Sequence, residues 1–177
     1  MDSVFDELYE KYHQDLFQFL FYMVRNREQA EDLVQEVYIK VLRSYDRFEG
    51  RSSEKTWLLS IAKHVAIDFF RKQRSFRAKL MNAWKVQDDK ALLPEEIAVQ
   101  REEIQLMYRC LGNCTIDQRL VVVLRFIQGL SVAETAETLG WTESKVKTTQ
   151  HRALKRLKQQ MEEAAKGGWH HEKIPME

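Results

Sequence analysis

Apolar residues recur every three or four positions along much of this chain, which is the spacing that places them on one face of an α-helix. Three such stripes run through residues 5–69, and no useful length alternates with the period of two that marks a half-buried β-strand. The pattern therefore predicts three long helices in the first half of the chain and no β-structure. The stripes are Phe5, Leu8, Tyr9, Tyr12, Leu16, Phe19, Leu20 and Met23; Ala30, Leu33, Val34, Val37, Tyr38, Val41, Leu42 and Tyr45; and Trp57, Leu58, Ile61, Ala62, Val65 and Phe69.

Capping residues and glycines predict where the helices begin and end. A Ser or Thr followed three residues later by Glu or Gln makes a capping box, and glycine commonly stops a helix. A weaker helix is expected over about 95–111. The predicted caps and stops are, in chain order, Ser52 or Ser53, Gly112, Thr115 with Gln118, Gly129, Ser131 with Glu134, Gly140 and Thr142.

Residues 131–158 have the layout of a helix-turn-helix, namely a short helix, a turn with Gly140 and a longer helix. At about 100° per residue, the longer helix has one anchoring arc, and basic or hydrogen-bonding residues cover the rest. Such a helix is held on one side and offers the other to a ligand. The arc is Val146, Gln150, Ala153, Leu154, Leu157 and Met161, and the polar side is Ser144, Lys145, Lys147, Thr148, His151, Arg152, Lys155 and Lys158.

The charge of this longer helix indicates a nucleic-acid ligand. Residues 141–160 carry six Lys or Arg against Glu143, although the whole chain has a net charge of only +1. The alternative is a surface helix laced with ion pairs, which would mix acids with its bases, and residues 145–160 contain no acid. Like charges four residues apart, such as Arg152 and Arg156, oppose folding of a helix unless a polyanion relieves them.

Charge alternates along the chain in four blocks. Residues 1–50 carry 11 acidic and 6 basic groups (net −5), and residues 51–80 carry 2 and 8 (net +6). Residues 81–140 carry 9 and 6 (net −3), and residues 141–177 carry 5 and 8 (net +3). The two basic blocks indicate two places that hold a polyanion, and the acidic first block indicates a different kind of partner.

Other classes of protein have little support. The N-terminus is acidic where an export signal is basic, and no apolar run approaches membrane-spanning length, so a cytosolic protein is expected. Cys110 and Cys114 are interpreted as core or half-exposed thiols, because a metal or redox pair lacks supporting ligands. The chain has six glycines but no phosphate-cradling loop. We therefore expect no enzyme activity, catalytic residue, cofactor or metal site, and only adventitious metal binding at His170 and His171.

The N-terminal half resembles a known family. "EDLVQEVYIKVLRSYDRFEG" at 31–50 resembles the polymerase-binding helix of the extracytoplasmic-function (ECF) group of bacterial RNA polymerase sigma factors. "RSSEKTWLLSIAKHVAIDFFRKQR" at 51–74 resembles the helix with which that group opens and reads the minus-ten promoter element. The helix-turn-helix is similar to the group's reader of the minus-thirty-five element. Within the group, "HQDLFQFLFYMV" and "SEKTWLLSIAKHVAIDFFRKQ" look most like the sigma-X proteins of bacilli.

The resemblance implies an all-α fold of two small helical domains joined by a flexible linker. It implies a sigma-two-like domain at 1–78, a linker at 79–96, a sigma-four-like helix-turn-helix domain at 97–165 and a disordered tail at 166–177. The implied core-polymerase-binding residues are Asp32, Gln35, Glu36 and Arg43. The implied minus-ten residues are Phe48, Gly50, Arg51, Ser52, Lys55, Lys63, His64, Asp68 and Arg71. The implied minus-thirty-five residues are Ser144, Lys145, Lys147, Thr148, His151, Arg152 and Lys155.

The chemistry of these residues suits the implied roles. An unstacked base needs an aromatic wall and hydrogen-bond donors, which Phe48 and the Ser and Lys residues after it can supply. Arg152 can make bidentate hydrogen bonds to guanine, whereas Lys147 and Lys155 can hold phosphates. A cationic groove that tracks a single strand is expected from Arg71, Lys72, Arg74 and Arg77.

Three positions leave alternatives open. Many relatives carry Asn where His64 stands, so the minus-ten preference of this protein is expected to differ. His151 stands where relatives are often aromatic, and both stacking and hydrogen bonding remain open for it. Trp57 is either a base-contacting residue or part of the core, and its place at the head of an apolar stripe favours the core.

The resemblance also implies partners and a function. The partners are core RNA polymerase, through its largest-subunit coiled coil and its flap, promoter DNA, and an anti-sigma factor expected to be membrane-anchored. The free protein is expected to be a monomer in the cytoplasm, at the nucleoid or held at the inner membrane face by the anti-sigma factor. It would direct polymerase to specific promoters in a cell-envelope stress response. A stand-alone DNA-binding regulator is the alternative, but it would leave the acidic 31–45 helix and the basic 57–74 helix unexplained.

Overall fold

The computed structural model describes residues 2–81 and 93–167, and these residues form helices joined by short turns, with no strand among them. The all-α prediction is confirmed. Most of the predicted linker, residues 82–92, and most of the predicted tail, residues 168–177 with His170 and His171, lie outside the described residues. The helices are α1 (Asp2–Val24), α2 (Arg27–Ser44), α3 (Glu54–Met81), α4 (Glu95–Ala98), α5 (Glu102–Leu111), α6 (Ile116–Val122), α7 (Val132–Leu139) and α8 (Glu143–Lys166), with a 3₁₀ turn at Tyr45–Arg47 and a π-helical turn at Val123–Ile127.

The predicted capping boxes form as expected. The Thr115 hydroxyl accepts a hydrogen bond from the Gln118 backbone N–H, and the Gln118 side chain accepts one from the Thr115 N–H, both at 3.2 Å. Ser131 and Glu134 exchange the same pair of bonds at 3.1 and 2.7 Å. Thr142 accepts from the backbone N–H at residue 145 at 3.1 Å. These bonds satisfy N–H groups that have no partner within the first turn of a helix.

Two helix stops show the backbone reason for glycine. Gly129 and Gly140 have φ values of 71° and 67°, in the left-handed region that other L-residues avoid. Arg25 adopts φ 59° directly after α1, although it is not glycine. The weaker helix expected over 95–111 is interrupted, because residues 99–101 separate α4 from α5.

Helices α1, α2 and α3 pack around one apolar core, in which Leu16, Phe19 and Leu58 are essentially inaccessible to water. Two stripe residues differ from expectation, since Tyr9 is 43% and Leu42 is 50% exposed. Both lie at the edge of their stripe, where the helix surface turns from the core toward solvent.

A second, smaller cluster joins α5, α6 and α8 in the C-terminal half. It contains Cys110 and Cys114, which are buried free thiols, and burial raises the pKa of each. Ala153 and Leu157 of α8 are buried here, whereas Leu154, predicted to lie in the same arc, is 41% exposed because it sits at the arc's margin.

The two halves of the chain pack directly against each other. Helix α3 contacts α7, and α1 contacts the π-helical turn. Leu130, Ala136, Leu139 and Val146 of the C-terminal half belong to the same continuous core as the helices of the N-terminal half. This association is a feature of the tertiary structure that the helical periodicity does not predict.

Arg119 is buried where the halves meet, with 8% of its surface exposed. Its guanidinium donates hydrogen bonds to the carbonyl oxygens of Leu111 at 3.0 Å and Gly112 at 3.3 Å, and to that of Met23 at the end of α1. It also lies 5.6 Å from the centroid of the Phe70 ring. One cation thus satisfies terminal carbonyls of α1 and α5, where the helix dipoles favour positive charge.

Arg119→Met is expected to lower the free energy of unfolding by about 2–4 kcal/mol, because three buried carbonyls lose charged donors. Burial lowers the pKa of Arg119 to about 10 from 12.5. Since the folded value is the lower one, the folded state gains stability from this group only as pH rises from about 10 to 12.5, so the loss should be constant near neutral pH. Urea denaturation at pH 7 measures it, with exposed Arg156→Met as the control. Equal stability of the Arg119→Met variant and the wild type would contradict the assigned role.

Candidate nucleic-acid interface

Helix α8 presents its predicted base-reading side to solvent. Its opposite side is anchored by Val146, Ala153, Leu157 and Ala164, all of which are buried. A long helix with one buried seam and a polar outer side is suited to lie in the major groove of DNA. The predicted minus-thirty-five residues are all exposed, namely Ser144, Lys145, Lys147, Thr148, His151, Arg152 and Lys155.

The cations on this side of α8 are not neutralised by carboxylates. Lys147, Arg152 and Lys155 make no ion pair among the residues that the structure describes. Lys145 places its ammonium group 3.8 Å from the centroid of the Trp141 ring, a cation–π contact that positions it beside the turn. The surface therefore retains positive charge for a polyanion.

The loop before α3 holds its aromatic residues together. The Phe48 and Trp57 rings lie 4.6 Å apart between centroids, and Trp57 meets Tyr45 edge-on at 6.1 Å. Trp57 is half-buried against the core, which is the position that its place in the apolar stripe favours. Gly50 has φ 67° and is exposed, so the loop turns sharply outward beside Arg51, which pairs with Glu49 at 2.6 Å.

His64 is exposed on α3 and has a defined ring orientation. Its Nδ1 lies 2.7 Å from the Ser60 carbonyl oxygen, and its Nε2 lies 3.3 Å from the Lys63 Nζ. A carbonyl oxygen only accepts hydrogen bonds, so Nδ1 carries the proton, and Nε2 is left to accept from the ammonium group. Further along the helix, Asp68 is half-buried and pairs with Arg71 at 3.3 Å.

Two predicted minus-ten residues are not free on the surface. Lys63 was expected on the exposed side of α3, but it is 8% exposed, and its Nζ lies 3.5 Å from the Leu139 carbonyl oxygen at the end of α7. Burial lowers the pKa of Lys63. Lys55 is half-buried and donates to the Gln128 carbonyl at 3.2 Å, besides pairing with Asp15 at 3.5 Å. The C-terminal half covers both lysines because α7 and the turn before it pack on α3.

The C-terminal part of α3 carries an exposed aromatic residue that the sequence interpretation missed. Phe76 is 63% exposed among four exposed basic residues. A ring with no core to join beside cations is typical of surfaces that stack unpaired bases. Its position away from the apolar stripe of α3 is the signal that could have identified it. The four basic residues are Arg71, Lys72, Arg74 and Arg77.

The predicted polymerase-binding face of α2 is accessible. Asp32, Gln35 and Arg43 are exposed and Glu36 is half-buried. Neither of the two acids makes an ion pair among the described residues. Ile39, which the sequence interpretation did not single out, lies between them on the same face and is 50% exposed. An apolar centre with a charged rim is the usual composition of a protein-binding surface.

Among the described residues, no group of three or more His, Cys, Asp or Glu is arranged to hold a metal ion. Over the same ranges, no helix combines the length and apolar character needed to cross a bilayer.

Comparison with known proteins identifies the family. A family model for Sigma-70 region 2 matches residues 8–76, and one for Sigma-70, region 4 matches residues 104–157. The chain is 61% identical over 166 residues to the ECF RNA polymerase sigma factor SigX of Bacillus subtilis (strain 168), covering 92% of this chain and 86% of SigX. The chain belongs to the ECF sigma factors. The resemblance inferred from the sequence is thereby confirmed, and this sigma factor belongs to a family of transcription initiation factors.

Other relatives of this sigma factor agree in family and fold. It is 34% identical to the RNA polymerase sigma factor YlaC of Bacillus subtilis (strain 168) over 90% of this chain and 92% of YlaC. Its fold is similar to that of RpoE in a complex with the anti-sigma factor NepR from Bartonella quintana, with a TM-score of 0.73 and 23% identity over 89% of this chain and 96% of RpoE. It is also similar to CnrH in a complex with the cytosolic domain of CnrY, with a TM-score of 0.67 and 21% identity over 92% of this chain and 90% of CnrH.

Proposed function

We propose that this sigma factor docks on core RNA polymerase through α2 and reads a promoter at two elements. Helix α8 would contact the minus-thirty-five element, and the loop at 48–53 with α3 would contact and open the minus-ten element. The observation that carries the proposal is the outer side of α8, where all seven predicted reading residues are exposed. The protein itself would perform no catalysis, because it supplies recognition while the polymerase makes RNA.

The docking surface on α2 is proposed to meet a basic partner. Asp32 and Glu36 give it negative charge, and Ile39 adds an apolar contact that excludes water. The largest-subunit coiled coil of the polymerase is the proposed partner for this face, and the polymerase flap is proposed to meet the C-terminal domain. We assign residues 1–78 and 97–165 to these two domains, with 79–96 as the linker.

Regulation by an anti-sigma factor follows from the family rather than from any single residue. RpoE and CnrH, which share this fold, are each found with an anti-sigma partner or a partner's cytosolic domain. We infer a partner of this kind here, anchored in the membrane, that holds a monomeric sigma factor inactive in the cytoplasm until an envelope stress releases it to polymerase at the nucleoid.

Run-off transcription tests the proposal directly. Purified protein mixed with bacterial core polymerase is expected to start transcription at a restricted set of genomic fragments, and mapped start sites should share two elements with a fixed spacing. Core polymerase alone is the control. Absence of stable association with core polymerase, together with retained DNA binding, would remove the proposal and leave a stand-alone regulator.

A further inference from the structure

The C-terminal half covers the part of α3 that would read the minus-ten element. Lys63 is buried beneath the end of α7, and Lys55 is half-buried beneath the turn that precedes α7. The outer side of α8 remains exposed in the same conformation. One promoter-binding surface is therefore covered within the chain itself while the other is open.

Polar contacts at this interface are specific. Gln128 is 6% exposed, and its side-chain amide donates to the Asp15 carbonyl at 3.1 Å and to the Gln18 side-chain oxygen at 3.3 Å. The Lys63 ammonium group lies at the C-terminus of α7, where the helix dipole is negative. Both lysines would otherwise be open to solvent, so the covering half satisfies cations that DNA would satisfy in its absence.

Arg25 holds the two halves together at a second place. It follows α1 in the left-handed conformation, φ 59°, at a position where glycine is usual. Its guanidinium lies 4.9 Å from the centroid of the Tyr108 ring on α5. A Cβ atom added to Gly112 would lie 1.8 Å from the Arg25 Nη1. The Arg25 side chain therefore fills the space above Gly112 and stacks on Tyr108.

We propose that the free sigma factor is self-closed, with α7 covering the minus-ten face of α3 and Arg25 acting as the latch on Tyr108 and Gly112. The closed form offers α8 to a minus-thirty-five duplex but cannot bind the minus-ten strand. Docking on polymerase must separate α3 from α7, so the sigma factor reads complete promoters only within the holoenzyme. This inference rests on the proposed function for the identity of its DNA ligands, but closure itself does not depend on them.

Two substitutions break the latch from opposite sides. Arg25→Gly removes the side chain and suits the left-handed backbone, so the N-terminal half should remain folded. Gly112→Ala inserts a Cβ into the space that Arg25 occupies. Because both act on one contact, the double variant should behave like either single variant, which a double-mutant cycle measures.

Gly167→Ala is the matched control. Gly112 and Gly167 each follow a helix, and a Cβ at either one would lie 3.2 Å from a backbone carbonyl oxygen of its own helix, that of Arg109 or Glu163. Only the Gly112 position meets Arg25. Any effect of Gly112→Ala that Gly167→Ala lacks therefore comes from the latch.

Small-angle scattering and two DNA probes test the proposal on the free, full-length protein. The wild type should have a radius of gyration near the value of about 16 Å for a compact chain of this length, and the latch variants should be larger. Their affinity for a non-template-strand oligonucleotide of a mapped minus-ten element should rise about tenfold, because a larger fraction is open. Affinity for a minus-thirty-five duplex should stay unchanged.

The outcomes separate the two ideas. If the wild type is already expanded, or if both latch variants scatter and bind as the wild type does, self-closure is wrong. If no variant binds the minus-thirty-five duplex, the proposed function is wrong, and the scattering data still decide whether the chain closes.

Discussion

Arg152→Glu is expected to abolish promoter-specific transcription while core-polymerase binding persists. Arg152 lies in the exposed side of α8 and has no carboxylate partner among the described residues. The substitution removes a group that can bond guanine in two places, a contact that contributes about 1–3 kcal/mol, and adds a charge that phosphates repel. Promoter affinity should therefore fall by about 100-fold or more. Run-off transcription and a core-polymerase pull-down measure the two activities separately.

Lys166→Glu is the control for this experiment, because it makes the same change of charge on the exposed last residue of α8. It should leave transcription nearly unchanged, since it lies beyond the reading residues. Transcription at the wild-type level by the Arg152→Glu variant would show that α8 does not read the promoter.

Reversing both acids of the α2 face, Asp32→Lys with Glu36→Lys, is expected to abolish association with core polymerase. The two residues lie four positions apart on one side of α2, and the change inverts the charge of the surface around Ile39. Electrostatic complementarity governs both encounter and register at such interfaces, and like charges there cost several kcal/mol. Binding of α8 to a minus-thirty-five duplex should survive, because α8 lies on the other half of the chain.

Asp6→Lys with Glu10→Lys is the matched control for the α2 variant. These acids are also four residues apart on one helix and exposed, and neither makes an ion pair among the described residues. The same change in net charge on α1 should leave polymerase binding intact. Equal loss in both variants would mean that net charge, rather than the α2 face, governs the association.

Opposite results for the α2 and α8 variants would establish a division of labour along the chain. If both lost the same activity, the assignment of separate surfaces would be wrong. Lys63 fits this division only if the closed arrangement opens, because its side chain is buried beneath α7 in the free protein.

The sequence determines the helices of this protein because its start and stop signals are local. A capping box such as Ser131 with Glu134 needs only residues three apart, and Gly140 ends α7 because its own φ value is positive. The segregation of charge on α8 is equally local, since 100° per residue decides which residues share a side. The candidate minus-thirty-five side could therefore be predicted in full from the sequence.

The tertiary structure alone decides which polar side is covered and by what. Periodicity identifies the apolar side of α3, but Lys63 lies outside that stripe and is buried by a helix some 70 residues further along the chain. The left-handed Arg25, buried Arg119 and exposed Ile39 have no local signature either, because each depends on how distant helices meet. Helical character follows from neighbours in sequence, whereas closure follows from contacts across the fold, and that is why the sequence determined the promoter-reading surfaces but not their accessibility.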